Sequence, residues 1–101
     1  MDYRLEVSGA ADDDIDGIVK YLIEDLINPA AAKRFIDNVH ESYARLRENP
    51  FIFALCSDAR LQSFGYRKVV IKNYLILFRI KDETVYVVRI VHGRRNYTDL
   101  I

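Results

Sequence analysis

The stretch Thr84 to Ile101, TVYVVRIVHGRRNYTDLI, decides how this chain is read. Val85, Tyr86, Val87, Val88, Ile90 and Val91 are β-branched or aromatic, the composition of a strand buried on at least one face. His92 and Gly93 break that run, and Arg94, Arg95, Asn96 and Tyr97 follow as large side chains with polar tips able to meet a phosphate or a carboxylate. A stiff strand therefore delivers a cluster of donors to one edge of a sheet. Arg89 falls out of phase with the alternation of Tyr86, Val88 and Ile90, which puts it in solvent or on a concave surface.

Two similar runs precede this one, Phe64 to Ile71 and Tyr74 to Lys81, joined by the hairpin-length links Lys72-Asn73 and Asp82-Glu83. Three strands so linked form an antiparallel meander. The middle run, Tyr74, Leu75, Ile76, Leu77, Phe78 and Ile80, is almost wholly apolar, as a central strand covered on both faces requires. Ahead of it, Phe51 to Leu55 is an apolar patch expected to tuck beneath the sheet, followed by a polar loop through Asp58, Arg60 and Gln62.

The first half changes period. Tyr3, Leu5 and Val7 alternate with Arg4 and Glu6, a short half-buried strand. From Ala11 the apolar residues Ile15, Ile18, Val19, Leu22, Ile23 and Leu26 fall at helical spacing. Asp12, Asp13, Asp14 and Asp16 crowd the opening turns, where the peptide dipoles favour negative charge; adjacent positions on a helix diverge, so no metal site is expected. Asn28-Pro29 ends this helix and caps the next, whose stripe is Ala32, Phe35, Ile36, Val39, Tyr43 and Leu46. So short a link makes the two helices an antiparallel hairpin. The order is β-α-α-β-β-β, an α+β fold in which a helical hairpin packs on a small antiparallel sheet, and residues 1–101 read as a single domain.

The zero formal net charge hides a division. Residues 1–59 carry 6 Lys/Arg against 12 Asp/Glu, or −6, and residues 60–101 carry 9 against 3, or +6. The later half is a cationic surface suited to nucleic acid or an acidic protein segment. The lone Cys56 excludes an internal disulfide and a multi-cysteine metal site. No apolar run reaches signal-peptide or membrane-span length, so a cytoplasmic protein without membrane association is expected.

The last strand and the strand around Tyr66 supply Arg67, Lys68, Arg89, His92, Arg94, Arg95 and Tyr97, expected to converge on one concave face. For metal-independent RNA cleavage His92 is a proton exchanger near neutral pH, Arg95 and Arg67 are bidentate phosphate ligands, and Tyr97 stacks on a base or donates a proton. This ending, with NYLILFRI before it and NPAAAKRF upstream, resembles the RelE/ParE superfamily of bacterial toxins from Tyr3 to Leu100. The resemblance implies a growth-inhibiting toxin of a type II toxin–antitoxin operon, of the kind also called plasmid stabilisation proteins, with no cofactor.

Its partners would be a cognate antitoxin, filling a groove with an acidic tail, and either DNA gyrase or the ribosome with its mRNA. A homodimer or a toxin–antitoxin hetero-oligomer is compatible with it. His92, Arg94 and Arg95 match the ending of the gyrase-poisoning branch, which is the expected activity. The alternative is a ribosome-dependent mRNA endonuclease using His92, Arg95, Tyr97 and Arg67, from which the chain departs at Leu75, where that branch places an arginine. A third outcome is a decayed toxin that retains only antitoxin binding. In either active case Arg67, Lys68, Arg89, Arg94, Arg95 and Tyr97 are the expected contacts to target or antitoxin.

Overall fold

A computed structural model describes residues 2–101. Strand β1 (Arg4–Val7) leads through Ser8 into helix α1 (Gly9–Lys20), whose last residues continue as a π-helical turn, Tyr21–Asp25. Helix α2 (Pro29–Glu48) returns antiparallel, and a 3-10 turn (Pro50–Ile52) and a short helix α3 (Ala59–Ser63) lead to β2 (Arg67–Ile71), β3 (Tyr74–Lys81) and β4 (Thr84–His92). The sheet order is β1-β4-β3-β2. The meander β2-β3-β4 is antiparallel, and β1 joins it parallel to β4, Arg4 opposite Thr84 and Val7 opposite Val87, so the whole sheet is mixed.

Local signals placed the helices. Ser8 caps α1 by accepting from the Ala11 N–H at 3.0 Å, while its hydroxyl donates to Val88 O at 2.7 Å, tying the helix start to β4. Asn28 accepts from the Ala31 N–H at 3.1 Å with Pro29 at the first helical position. Ala32, Phe35, Val39 and Leu46 of α2 are buried with Leu22 of the hairpin against Val69, Ile76, Phe78, Val85, Val87 and Ile90. A second cluster, Cys56, Leu61, Tyr66, Leu75, Leu77 and Val91, forms under α3 and the C-terminal 3-10 turn (Thr98–Leu100). The sheet is therefore covered on both sides.

Three expectations change. The run from Phe64 begins its strand only at Arg67, because Asp58 caps α3 by accepting from the Leu61 N–H at 3.0 Å and carries the chain helically through Ser63. Phe51, Ile52 and Leu55 remain exposed, and of that patch Phe53 packs inward, edge-on to Phe78 at 6.1 Å. The period of β4 is also interrupted. Leu77 pairs with Arg89 and Phe78 with Val87, so Val88 is the extra residue of a β-bulge. The bulge shifts the alternation: Val85, Val87 and Ile90 lie in the hairpin-side core, and Tyr86 is exposed.

The helical stripe ends in an unusual turn. The Leu26 N–H reaches back to Tyr21 O at 3.1 Å and the Asn28 N–H to Leu22 O at 2.8 Å, a widened version of the closure in which helices usually place glycine. Here the left-handed position is Ile27, φ 48°. For a β-branched residue that conformation is an outlier costing about 1–2 kcal/mol. At the other end of the hairpin, the Tyr43 hydroxyl is buried with no hydrogen-bond partner among the described residues, and burial first, then the charge of Asp12, pushes its pKa up to about 12. Removing that orphaned hydroxyl in Tyr43→Phe should raise stability by about 1 kcal/mol, seen as a higher urea midpoint at unchanged slope.

Candidate functional site

The principal cavity, of ≈ 630 Å³, is a groove between the helical hairpin and the end of the sheet where β3 begins and β4 stops. Its floor is apolar: Ile18, Leu22, Phe35, Ile71, Tyr74 and Ile90. An aromatic series binds hairpin to sheet there, Phe35 edge-on to Tyr74 at 5.2 Å and Tyr74 edge-on to His92 at 5.5 Å. Burial, then the nearby Tyr21, raises the pKa of Tyr74, so its phenol is a neutral wall group. Arg34, Lys72, His92 and Arg95 line the groove as cationic or basic groups, with Asp13 and Asp14 on the α1 side.

The β4 ending is fixed by its backbone. The Gly93 N–H donates to Asn73 O at 2.7 Å, the Arg95 N–H to His92 O at 3.0 Å, and the Arg94 N–H to His92 Nδ1 at 3.2 Å. Tyr74 pairs with His92 in register, which brings the β2–β3 turn with Lys72 beside the β4 end with Arg95.

His92 and Arg95 therefore meet at one groove, but the expected convergence of the whole basic set does not occur. Arg67 pairs with Phe78 whereas His92 pairs with Tyr74, four residues along β3, roughly 13 Å apart at strand rise. Its Nη1 donates to Phe53 O at 2.7 Å and its guanidinium lies over the Phe51 ring at 5.2 Å, so the segment around the 3-10 turn holds this side chain away from the groove. Lys68 pairs with Leu77, on the face of the second cluster. Tyr97 packs into that cluster, and burial, then Cys56 and Asp58, raise its pKa. Cys56 lies fully buried with its thiol also pushed up by burial, a core residue at neutral pH.

Arg89 has an internal partner. Its Nε and Nη2 donate to the Asp14 carboxylate at 2.7 and 2.8 Å, and Asp14 Oδ2 also accepts from the Ile90 N–H at 2.9 Å. Strand β1 ends at Val7 opposite Val87, so beyond that point the β4 edge is open and Asp14 caps it. The hydrogen bond to Asp14 raises the Arg89 pKa. Arg94 is exposed at the turn. Arg34, Lys72, Phe35 and Tyr74 were missed as site residues from sequence; the register of the β3–β4 hairpin is the signal that would have put Lys72 beside His92.

An antiparallel helical pair on such a sheet, with a largely apolar groove carrying basic side chains where β4 ends, defines a small α+β module. The family model described as the ParE toxin of the type II toxin–antitoxin system parDE matches residues 5–97, and the chain belongs to that toxin family. The fold is also that of solved structures. The chromosomal ParDE toxin–antitoxin system of P. aeruginosa is similar at TM-score 0.71 and 20% identity over 89% of this chain and 95% of that one. The RelBE2 toxin–antitoxin complex of Mycobacterium tuberculosis is similar at 0.53 and 18%, over 91% and 99%. A conserved hypothetical protein of Helicobacter pylori is similar at 0.51 and 16%, over 89% and 93%. Among curated proteins none matches the chain. Among the described residues no helix is long and apolar enough to cross a membrane.

Proposed function

We propose that this toxin arrests bacterial growth by binding DNA gyrase as a protein ligand, and that its cognate antitoxin silences it by laying an acidic, apolar-striped segment in the groove. The observation that carries the reading is the dispersal of the residues RNA cleavage would need. His92 and Arg95 share the groove, whereas Arg67 is held at the other end of the sheet and Tyr97 is packed on its opposite face. Metal-independent phosphodiester cleavage requires base, acid and phosphate clamp within hydrogen-bond reach of one scissile group. A binding surface has no such requirement.

For the antitoxin, the apolar floor offers burial, and Arg34, Lys72, Arg94 and Arg95 offer charge to carboxylates. The similar structures from P. aeruginosa and M. tuberculosis are both of toxin–antitoxin systems, which supports an antitoxin partner. Both proposed partners place the protein in the cytoplasm. Primer extension on mRNA after induction tests the mechanism: growth should stop with transcripts intact. Codon-registered cuts that vanish in Arg95→Ala would instead make it a ribosome-dependent nuclease.

A further inference from the structure

We propose that the chain after β4, residues 93–101, is a strap clipped shut by Arg60, and that its closure over the second cluster holds Arg95 in the groove, making Arg60 a positioning residue for the groove's ligand. This rests on the reading above that an antitoxin segment occupies the groove. The strap begins where the Gly93 N–H donates to Asn73 O at 2.7 Å and the chain leaves the sheet, and it closes with the 3-10 turn Thr98–Leu100. Along it Tyr97, Leu100 and Ile101 are only partly buried, packed against a cluster that includes Cys56, Leu61, Leu75 and Val91. Among the described residues, the Leu100 N–H bonds to Tyr97 O and the Thr98 hydroxyl to Asn96, both within the strap. Two further hydrogen bonds tie residues 96–101 to the rest of the chain, and both come from Arg60. Its Nη1 donates to Thr98 O at 2.9 Å and its Nη2 to Ile101 O.

The clip stands on a fixed base. Arg60 lies on α3, which Asp58 caps and the Ser63 hydroxyl braces by donating to Arg60 O at 2.6 Å, and the neighbouring Leu61 is fully buried. The strap lacks such support, and a segment with few buried apolar contacts and exposed backbone opens locally before the rest of a fold. A guanidinium donating through two nitrogens to two carbonyls restrains both the position and the direction of the turn it holds. Arg95 belongs to this strap and not to β4. It stands two residues before Tyr97, exposed, and lines the groove. On the β4 side its backbone is restrained by one exposed hydrogen bond, from its N–H to His92 O at 3.0 Å, which is too weak to fix it alone. Its place in the groove is therefore set from Tyr97 onward: with the strap closed it stays at the end of β4, and with the strap open it moves away with the segment. A cation already in position spares the ligand the cost of ordering it, so a closed strap strengthens binding of an acidic segment.

The experiment compares wild-type protein with Arg60→Ala, Arg60→Lys, Arg95→Ala and the double variant Arg60→Ala with Arg95→Ala. Both positions are exposed, so all four variants should fold. In wild type the Arg95 and Leu100 amides should be rigid, with NMR order parameters of about 0.85, and in Arg60→Ala both should fall below about 0.6 while Val91 in β4 stays rigid. The Cys56 thiol, fully buried in the cluster the strap covers, should react with a disulfide reagent about fivefold faster once the strap opens. Affinity for the cognate antitoxin should fall about fivefold in Arg60→Ala. The loss should be smaller in Arg60→Lys, which keeps a donor for one carbonyl, and absent when Arg60→Ala is added to Arg95→Ala. An Arg95 amide that stays rigid while Leu100 loosens would overturn the proposal, because the turn at His92 would then hold Arg95 unaided. So would a Leu100 amide that stays rigid in Arg60→Ala, or affinity losses from the two substitutions that simply add. If Arg95→Ala alone leaves antitoxin affinity unchanged while the order parameters fall as expected, the strap holds Arg95 as proposed and it is the groove reading that fails.

Discussion

Asp14→Ala should cost the fold about 3 kcal/mol, lowering Tm by roughly 15 °C in a domain of this size. Three hydrogen bonds end on that carboxylate: two from the Arg89 guanidinium and one from the Ile90 N–H. Both side chains are shielded, at 20% exposure for Arg89 and 15% for Asp14, so solvent screening discounts the pair far less than it would a surface bridge. Removing the carboxylate leaves a half-buried guanidinium without its partner and the Ile90 N–H unpaired at the open strand edge. Removing both partners is different. Arg89→Met combined with Asp14→Ala should be less destabilised than the sum of the single changes, because no uncompensated charge remains. Thermal unfolding of the four proteins of this cycle measures the coupling directly, and additive losses would mean that the bidentate geometry contributes nothing beyond packing.

Lys72→Glu with Arg95→Glu should weaken antitoxin binding roughly 30-fold, about 2 kcal/mol, with little change in stability. Both side chains are exposed at the groove's rim and neither belongs to either core cluster. Each reversal converts an attraction for an acidic segment into a repulsion, and surface changes of this kind ordinarily leave Tm nearly where it was. The loss should shrink in high salt, where screening removes the attraction from the wild type as well. Titration calorimetry at two salt concentrations reads both effects. A salt-independent loss would point to disturbed groove geometry instead of charge.

The parts of this fold that were legible in the sequence are those fixed within one turn or one hairpin. Asn28-Pro29 announced a capped helix because the side-chain acceptor, the Ala31 N–H and the proline ring are all local. Lys72-Asn73 and Asp82-Glu83 announced hairpins, and Lys72, Asp82 and Glu83 do take positive φ in them. What was not legible depends on partners far along the chain. The extra residue Val88 is defined only by its pairing opposite Leu77 and Phe78, and it moves Ile90 onto the hairpin face that a strict period of two would not give with Val85 and Val87. Arg89 looked like a free cation because Asp14 lies 75 residues earlier. Arg67 looked like a phosphate ligand because nothing local says that Phe53 O takes one of its donors and holds it at that end of the sheet.

The same distinction governs the site. His92 and Arg95 were grouped because a strand end is visible as a break in composition, and both line the groove. Tyr97, two residues on, was grouped with them by proximity in sequence. The chain turns at Gly93 and carries Tyr97, Leu100 and Ile101 over the second core cluster, where Arg60 holds the segment by donating to Thr98 O at 2.9 Å and to Ile101 O. Closeness in sequence after a turn says little about which side of a sheet a residue reaches.

The most direct measurement is a supercoiling assay with purified gyrase, relaxed plasmid and increasing amounts of the purified toxin. Inhibition that saturates with toxin, disappears on adding the cognate antitoxin and persists in Tyr97→Phe is the result expected of a protein ligand acting through the hairpin and groove. Supercoiling that proceeds unchanged at every toxin concentration, from a preparation that still arrests growth when expressed, would contradict it.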